Sequence, residues 1–108
     1  MADLDPVIHQ PARLQIMAAL AALREGDSVE FTFLRDLLGL TDGNLGAHLR
    51  RLEEEGYVNL SKVFVERKPR TYVSLSGKGR QAFAEHVQAL EGILGGKSVR
   101  KQRGGSRR

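Results

Sequence analysis

The stretch that most constrains this chain is Leu40 to Gly56, LTDGNLGAHLRRLEEEG. Leu45, Leu49 and Leu52 stand at i, i+4 and i+7, so they line one face of a helix. Thr41 is placed to cap its N-terminus, and Asp42 lies in the first turn beside the positive end of the helix. Gly56 suits a left-handed residue just past the last turn. The other face is short-sided in its first half (Gly43, Asn44, Gly46, Ala47) and then carries Arg50 and Arg51. A helix kept slim and then basic can enter a narrow acidic space such as the major groove of DNA, about 12 Å wide. A solvated surface helix that holds two arginines would read the same way. Glycine is a poor helix former, so two of them in one helix ask for a reason. Close approach to a groove is one, and tight packing on a neighbouring helix is the other.

The preceding segments set this helix in a frame. Asp5-Pro6 has the form of a cap followed by a first-turn proline, and Pro11 either cuts that turn short or opens the main helix. Leu14, Met17, Leu20 and Ala21, widened by Ile16 and Leu23, predict a core helix over 11–24. Val29 and Phe31 alternate in a short strand, 28–31. Thr32 then reads as the cap of a second helix with Phe33, Leu34, Leu37 and Leu38 apolar and Gly39 at its end. Helix, short glycine-containing turn and helix make a helix-turn-helix pattern.

After Gly56 the period changes to two. Residues 57–65 and 71–75 read as strands, with Glu66-Arg67-Lys68-Pro69-Arg70 as a basic tip between them. Lys and Pro also blunt exposed strand edges, so the tip is either a cationic prong or an edge guard. Ser76 caps a last helix, 77–94, in which Phe83, Val87, Leu90 and Leu94 repeat at 4-3-4 spacing. That is the seam of a helix packing along another, within the chain or on a second copy. Ala82 and Ala89 keep one flank of the seam small.

Charge has to be divided before it informs. The chain has 108 residues and a net charge of +4, but residues 97–108 hold six basic residues and no acid. The body, 1–96, carries 11 basic against 13 acidic residues, a net charge of −2. Positive surface on the body must therefore come from clustering. The apolar-poor segment from 95 onward is expected to be a disordered basic tail, with 1–94 as a single domain. There is no cysteine, hence no disulfide or thiolate site. The absence of an apolar run of about 20 residues and of a leader-like start leads us to expect a cytoplasmic protein off the membrane.

Four fragments in order carry a resemblance: Pro11 to Met17, Leu40 to Leu45, His48 to Glu53 with Gly56-Tyr57-Val58, and Tyr72 to Arg80. Over residues 9–92 the chain resembles the winged helix-turn-helix transcription regulators of bacteria and archaea, in the small group between MarR-like and ArsR-like proteins. The resemblance implies a mainly α fold with a small β-hairpin: a three-helix core plus wing, with an added C-terminal helix. It implies that 42–55 is a recognition helix and 66–70 the wing tip. It implies a homodimer on double-stranded DNA, joined mainly through terminal helices and reading an inverted-repeat site; the spacing then makes Phe83, Val87, Leu90 and Leu94 the expected dimer seam. The sensing parts of those families do not carry over: the three histidines are scattered, cysteine is absent and the chain is short. No metal, cofactor or catalytic pair is expected, and an effector is left open.

The expected DNA-contacting residues are Thr41, Gly43, Asn44, Ala47, Arg50 and Arg51 on the helix, with Arg67, Lys68 and Arg70 on the wing. Asn can pair with adenine and Arg with guanine, while wing cations add affinity with little sequence information. Asp42 would serve the helix end. His48, beside the apolar stripe, reads as a hydrogen-bonded, half-buried residue, and His9 and His86 support no claim. Two other readings stand beside this one: a winged helix that binds a protein, and an RNA-associated factor using the basic tail.

Overall fold

The computed structural model describes residues 3–95. Asp5 and Pro6 do open a turn. The Asp5 carboxylate accepts the Val7 N–H at 2.9 Å, and the turn sinks Val7 and Ile8 into the core. Pro11 then starts α1 (Pro11–Ala21), capped by the Gln10 side chain on the Arg13 N–H. Ile16, Met17 and Leu20 are its buried residues. The helix ends earlier than the expected residue 24, with Ala22 as its C-cap.

Strand β1 (Val29–Glu30) leads straight into α2 (Phe31–Leu38), so Glu30, not Thr32, holds the N-cap position. Pairing with the next strands explains this. Val29 and Glu30 are held extended against Val73 and Tyr72, which leaves Phe31 as the first residue free to turn helical. Of the four apolar residues expected to pack from this helix, Leu34 is buried and Leu38 partly so. Phe33 and Leu37 are 58% and 59% exposed. Gly39 takes the left-handed conformation, φ 67°, that lets α3 (Asp42–Glu54) follow after a short turn.

Thr41 caps α3 by accepting the Asn44 N–H at 3.0 Å, and Leu45, Leu49 and Leu52 are buried as their spacing requires. Gly56, at φ 83°, reverses the chain into β2 (Val58–Val65), which pairs antiparallel with β3 (Lys68–Leu75). The sheet order is β1-β3-β2. The hairpin tip is tighter than the expected five-residue loop. Glu66 and Arg67 alone make the turn, both with positive φ (52° and 69°), as the twist of a two-residue hairpin demands. Lys68, Pro69 and Arg70 therefore belong to β3. Pro69 costs the ladder little: opposite Phe64 it occupies a pair that exchanges no hydrogen bonds, next to the turn-closing pair Val65–Lys68.

The last helix, α4 (Gly77–Leu94), is capped by Ser76, whose hydroxyl accepts the Gly79 N–H at 2.8 Å and donates to the Gly56 carbonyl. Its core line runs through Gly79, Ala82, Phe83, His86 and Ala89. The flank expected to be small is thus the face turned inward. Gly79 is the reason: a Cβ there would collide with the Tyr57 carbonyl, and this close approach sets the rotation of the helix. The seam consequently turns partly outward. Phe83, Val87 and Leu90 are half-buried, while Ile93 and Leu94 are 65% and 78% exposed. No described helix is long and apolar enough to cross a membrane.

Candidate nucleic-acid interface

The outer face of α3 is open as the sequence suggests, and the fold does not need its glycines. A Cβ built on Gly43 meets nothing within 4 Å, and on Gly46 only the tip of Arg50, at 3.6 Å. Neither glycine is required by helix packing, which removes one of the two reasons they could have had. The Asn44 backbone N–H is spent on the Thr41 cap, while its carboxamide makes no hydrogen bond to a described residue. The Thr41 hydroxyl oxygen accepts that N–H, so its own proton is free to be donated outward. Ala47 is exposed and presents only a methyl group.

The cations divide into two classes. Arg50, Arg67 and Lys68 are exposed and form no ion pair among the described residues. Arg51 pairs with Glu55 at 3.0 Å and Arg70 with Glu30 at 2.6 Å. The first of these is an exposed i,i+4 pair, worth only about 0.3–0.5 kcal/mol. The second ties β3 to the β1–α2 junction and is less exposed. Asp42, as expected, serves the protein: it receives Arg35 at 2.8 Å, and the Arg35 guanidinium, also held by Asp36, is pushed well above its ordinary pKa.

Strand register places a further cation that sequence reading passed over. Directly paired residues share a face of the sheet. Val58 and Leu60, with their partners Leu75 and Val73, face the core, and the same side continues outward through Lys62–Thr71 and Phe64–Pro69. Arg70 and Lys68 lie on the reverse side, with Val63 and Val65. A cleft of about 540 Å³ runs between α3 and the sheet, lined by Gly46, Arg50, Glu53, Lys62 and Thr71 among others. Arg50 from the helix and Lys62 from the wing thus meet in one depression. The signal for Lys62 was in the sequence: it stands two residues beyond Leu60 in a period-two segment.

Behind this surface lies a buried polar network that joins three parts of the chain. The His86 ring is 1% exposed, and its Nδ1 accepts the Asp5 N–H at 3.0 Å. The Tyr57 hydroxyl donates to the Asp5 carboxylate. Burial, then the charge of His9 (ring centroids 5.3 Å apart), pushes the His86 pKa down against the opposing pull of Asp5. Burial and the bond to Asp5 push the Tyr57 hydroxyl up. Burial alone would raise the Asp5 carboxyl. The hydrogen bonds from Tyr57, Val7 and Ile8 and the nearby His86 outweigh it and leave the group below its ordinary value. His48 is half-buried as expected, 3.3 Å from the Arg13 guanidinium, and burial followed by that charge lowers its pKa. The basic tail lies outside the described residues.

Comparison with known proteins bears on the family and the fold. The family model described as a winged helix DNA-binding domain matches residues 12–94. The chain is 36% identical over 84 residues to an uncharacterized protein of Methanocaldococcus jannaschii, across 78% of this chain and 88% of that protein. Among solved structures it is similar to a transcriptional regulator homologue from Pyrococcus horikoshii. There the identity is 33% and the TM-score 0.77, covering 85% of this chain and 88% of that one. It is also similar to a putative transcriptional regulator from Salmonella typhimurium, with 26% identity and a TM-score of 0.64, covering 90% and 84%.

Proposed function

The chain belongs to the winged helix DNA-binding domain family, and from that premise we propose that residues 1–94 form a sequence-specific transcriptional regulator that acts as a homodimer on duplex DNA. Helix α3 enters the major groove. Asn44 and Arg50 read base edges there, Thr41 donates to phosphate, and Gly43 and Ala47 let the helix backbone approach. Arg67 and Lys68 at the wing tip and Lys62 at its base neutralise phosphates flanking the site. Arg51 and Arg70 join them by exchanging Glu55 and Glu30 for phosphate oxygens. The observation that carries this reading is the outer face of α3, slim and unsatisfied: open space above Gly43, and an Arg50 that pairs with no carboxylate among the described residues.

Dimerisation is assigned to α4, where Ile93 and Leu94 extend the Phe83–Val87–Leu90–Leu94 stripe into solvent. A second copy packed along that stripe would bury it and pair two reading helices, as an inverted-repeat site requires. Phe33 and Leu37, side by side on α2, favour a second reading in which the domain docks a protein.

The test is a titration of wild-type chain and Arg50→Ala against a duplex enriched from a random pool by the wild-type protein. Loss of a base-reading arginine costs about 1–3 kcal/mol of discrimination. Equal affinity of the two proteins removes α3 as the reading element. Failure of the wild type to enrich any duplex favours the protein-docking reading.

A further inference from the structure

Phe64 is an exposed aromatic residue on the wing that neither the fold nor the DNA-binding reading uses. It is 76% exposed, on a ribbon whose neighbours Val63 and Val65 are also uncovered, at 39% and 38%. Strand β1 pairs with β3 only at Tyr72 and Val73, so beyond Lys62–Thr71 the wing is a bare two-stranded hairpin. Phe64 stands opposite Pro69, in the wide-spaced kind of pair where side chains approach most closely. Together they make a stiff apolar tip. Their face is that of Lys62, two residues further out, so the tip continues the cleft that Arg50 and Lys62 share. Arg67 and Lys68 follow at once in the turn and the opposite strand. Glu66 and Arg67 accept left-handed backbone at non-glycine positions, a cost that keeps side chains at a turn where Asn-Gly would sit more comfortably.

An apolar tip next to cations that form no ion pair among the described residues matches one surface in particular. The minor groove is about 6 Å wide, edged by phosphates and floored by stacked bases. Proteins that use it commonly press a Phe, Leu or Pro between base steps, and pyrimidine–purine steps yield most easily. We propose that Phe64, backed by Pro69, is a wedge that the wing presses into the minor groove beside the site read by α3. It partly unstacks a flexible step there and bends the duplex, while Arg67 and Lys68 hold the flanking phosphates. The wedge adds a preference for TA or CA steps at positions that α3 does not touch. The inference rests on the DNA-binding reading above.

The experiment uses the full chain and the enriched duplex, with 2-aminopurine placed at the flanking step and a dye pair at the duplex ends. Wild type is expected to raise 2-aminopurine fluorescence on binding and to shorten the end-to-end distance. Phe64→Ala should lose both signals and bind on the order of tenfold more weakly, the scale of one lost base–aromatic contact. Its salt dependence should be unchanged. Phe64→Trp should keep the signals, and Lys68→Ala should keep them while lowering the salt slope. Circular dichroism checks that the exposed substitution leaves the fold intact. If Phe64→Ala binds and bends like wild type, the wedge is wrong and the reading of α3 stands. If Phe64→Ala alters self-association in sedimentation and not the DNA signals, the tip is a protein contact and the wedge is likewise wrong. If Arg50→Ala is also without effect on binding, the DNA reading itself has failed.

Discussion

Replacing Gly46 by alanine separates what the fold needs from what a partner needs. Gly46 is the fifth residue of α3, past its first turn. In such a position alanine is favoured over glycine by about 0.8–1.0 kcal/mol. The gain is not offset by crowding, because the new Cβ would meet only the flexible end of Arg50 at 3.6 Å, an ordinary contact. Gly43, in the first turn with open space around it, adds a few tenths more. For a domain of this size about 1 kcal/mol raises Tm by roughly 4–8 °C. Gly43→Ala/Gly46→Ala should therefore melt measurably later than wild type. The same two methyl groups stand where α3 would meet the groove floor, so operator affinity should fall on the order of tenfold, about 1.4 kcal/mol. Differential scanning calorimetry and fluorescence anisotropy on the same samples read both numbers. Opposite signs are the signature of positions kept small for a partner. A lower Tm would mean the glycines serve the fold after all. A higher Tm with unchanged affinity would mean that the slim face of α3 is not what approaches DNA.

The remaining predictions concern the scaffold. Gly79→Ala drives a methyl group into the Tyr57 carbonyl and should cost about 3 kcal/mol or more, read as a collapse of the urea midpoint. Leu94→Asp with Ile93→Asp, on the exposed end of α4, should halve the mass seen by sedimentation while leaving the circular dichroism spectrum unchanged; an unchanged mass would place the dimer contact elsewhere. His86 and His48 both have lowered pKa values, so the unfolded chain binds more protons than the native one in the window below the ordinary value of 6.5. Their stabilisation is complete above that value and is lost as pH falls below it. Tm should thus drop between about pH 7.5 and pH 5, and His86→Asn with His48→Asn should flatten the profile; a Tm that rises on acidification would refute the assignment. Asp5, whose pKa is also lowered, withdraws its contribution only at pH values below its ordinary 3.8.

Local rules determined much of this protein in advance. Thr41 as a cap, Gly39 and Gly56 in left-handed backbone and the buried Leu45–Leu49–Leu52 stripe follow from interactions within a few residues, which composition and spacing report directly. The order of elements, and with it the winged helix fold, follows from those local choices. What tertiary structure decided is whatever depends on residues distant in the chain. The start of α2 was settled by β1 pairing with Val73 and Tyr72, far along the chain, and the length of the wing by strand register through Pro69. The facing of α4 was settled by one glycine against the Tyr57 carbonyl, which turned its small flank inward and its seam partly outward. His86, isolated in the sequence, became the partner of Asp5 across 81 residues. The sorting of arginines into paired and unpaired was likewise invisible, because a guanidinium's nearest carboxylate is set by packing and not by spacing: Glu55 for Arg51 is local, but Glu30 for Arg70 exists only once three strands have met.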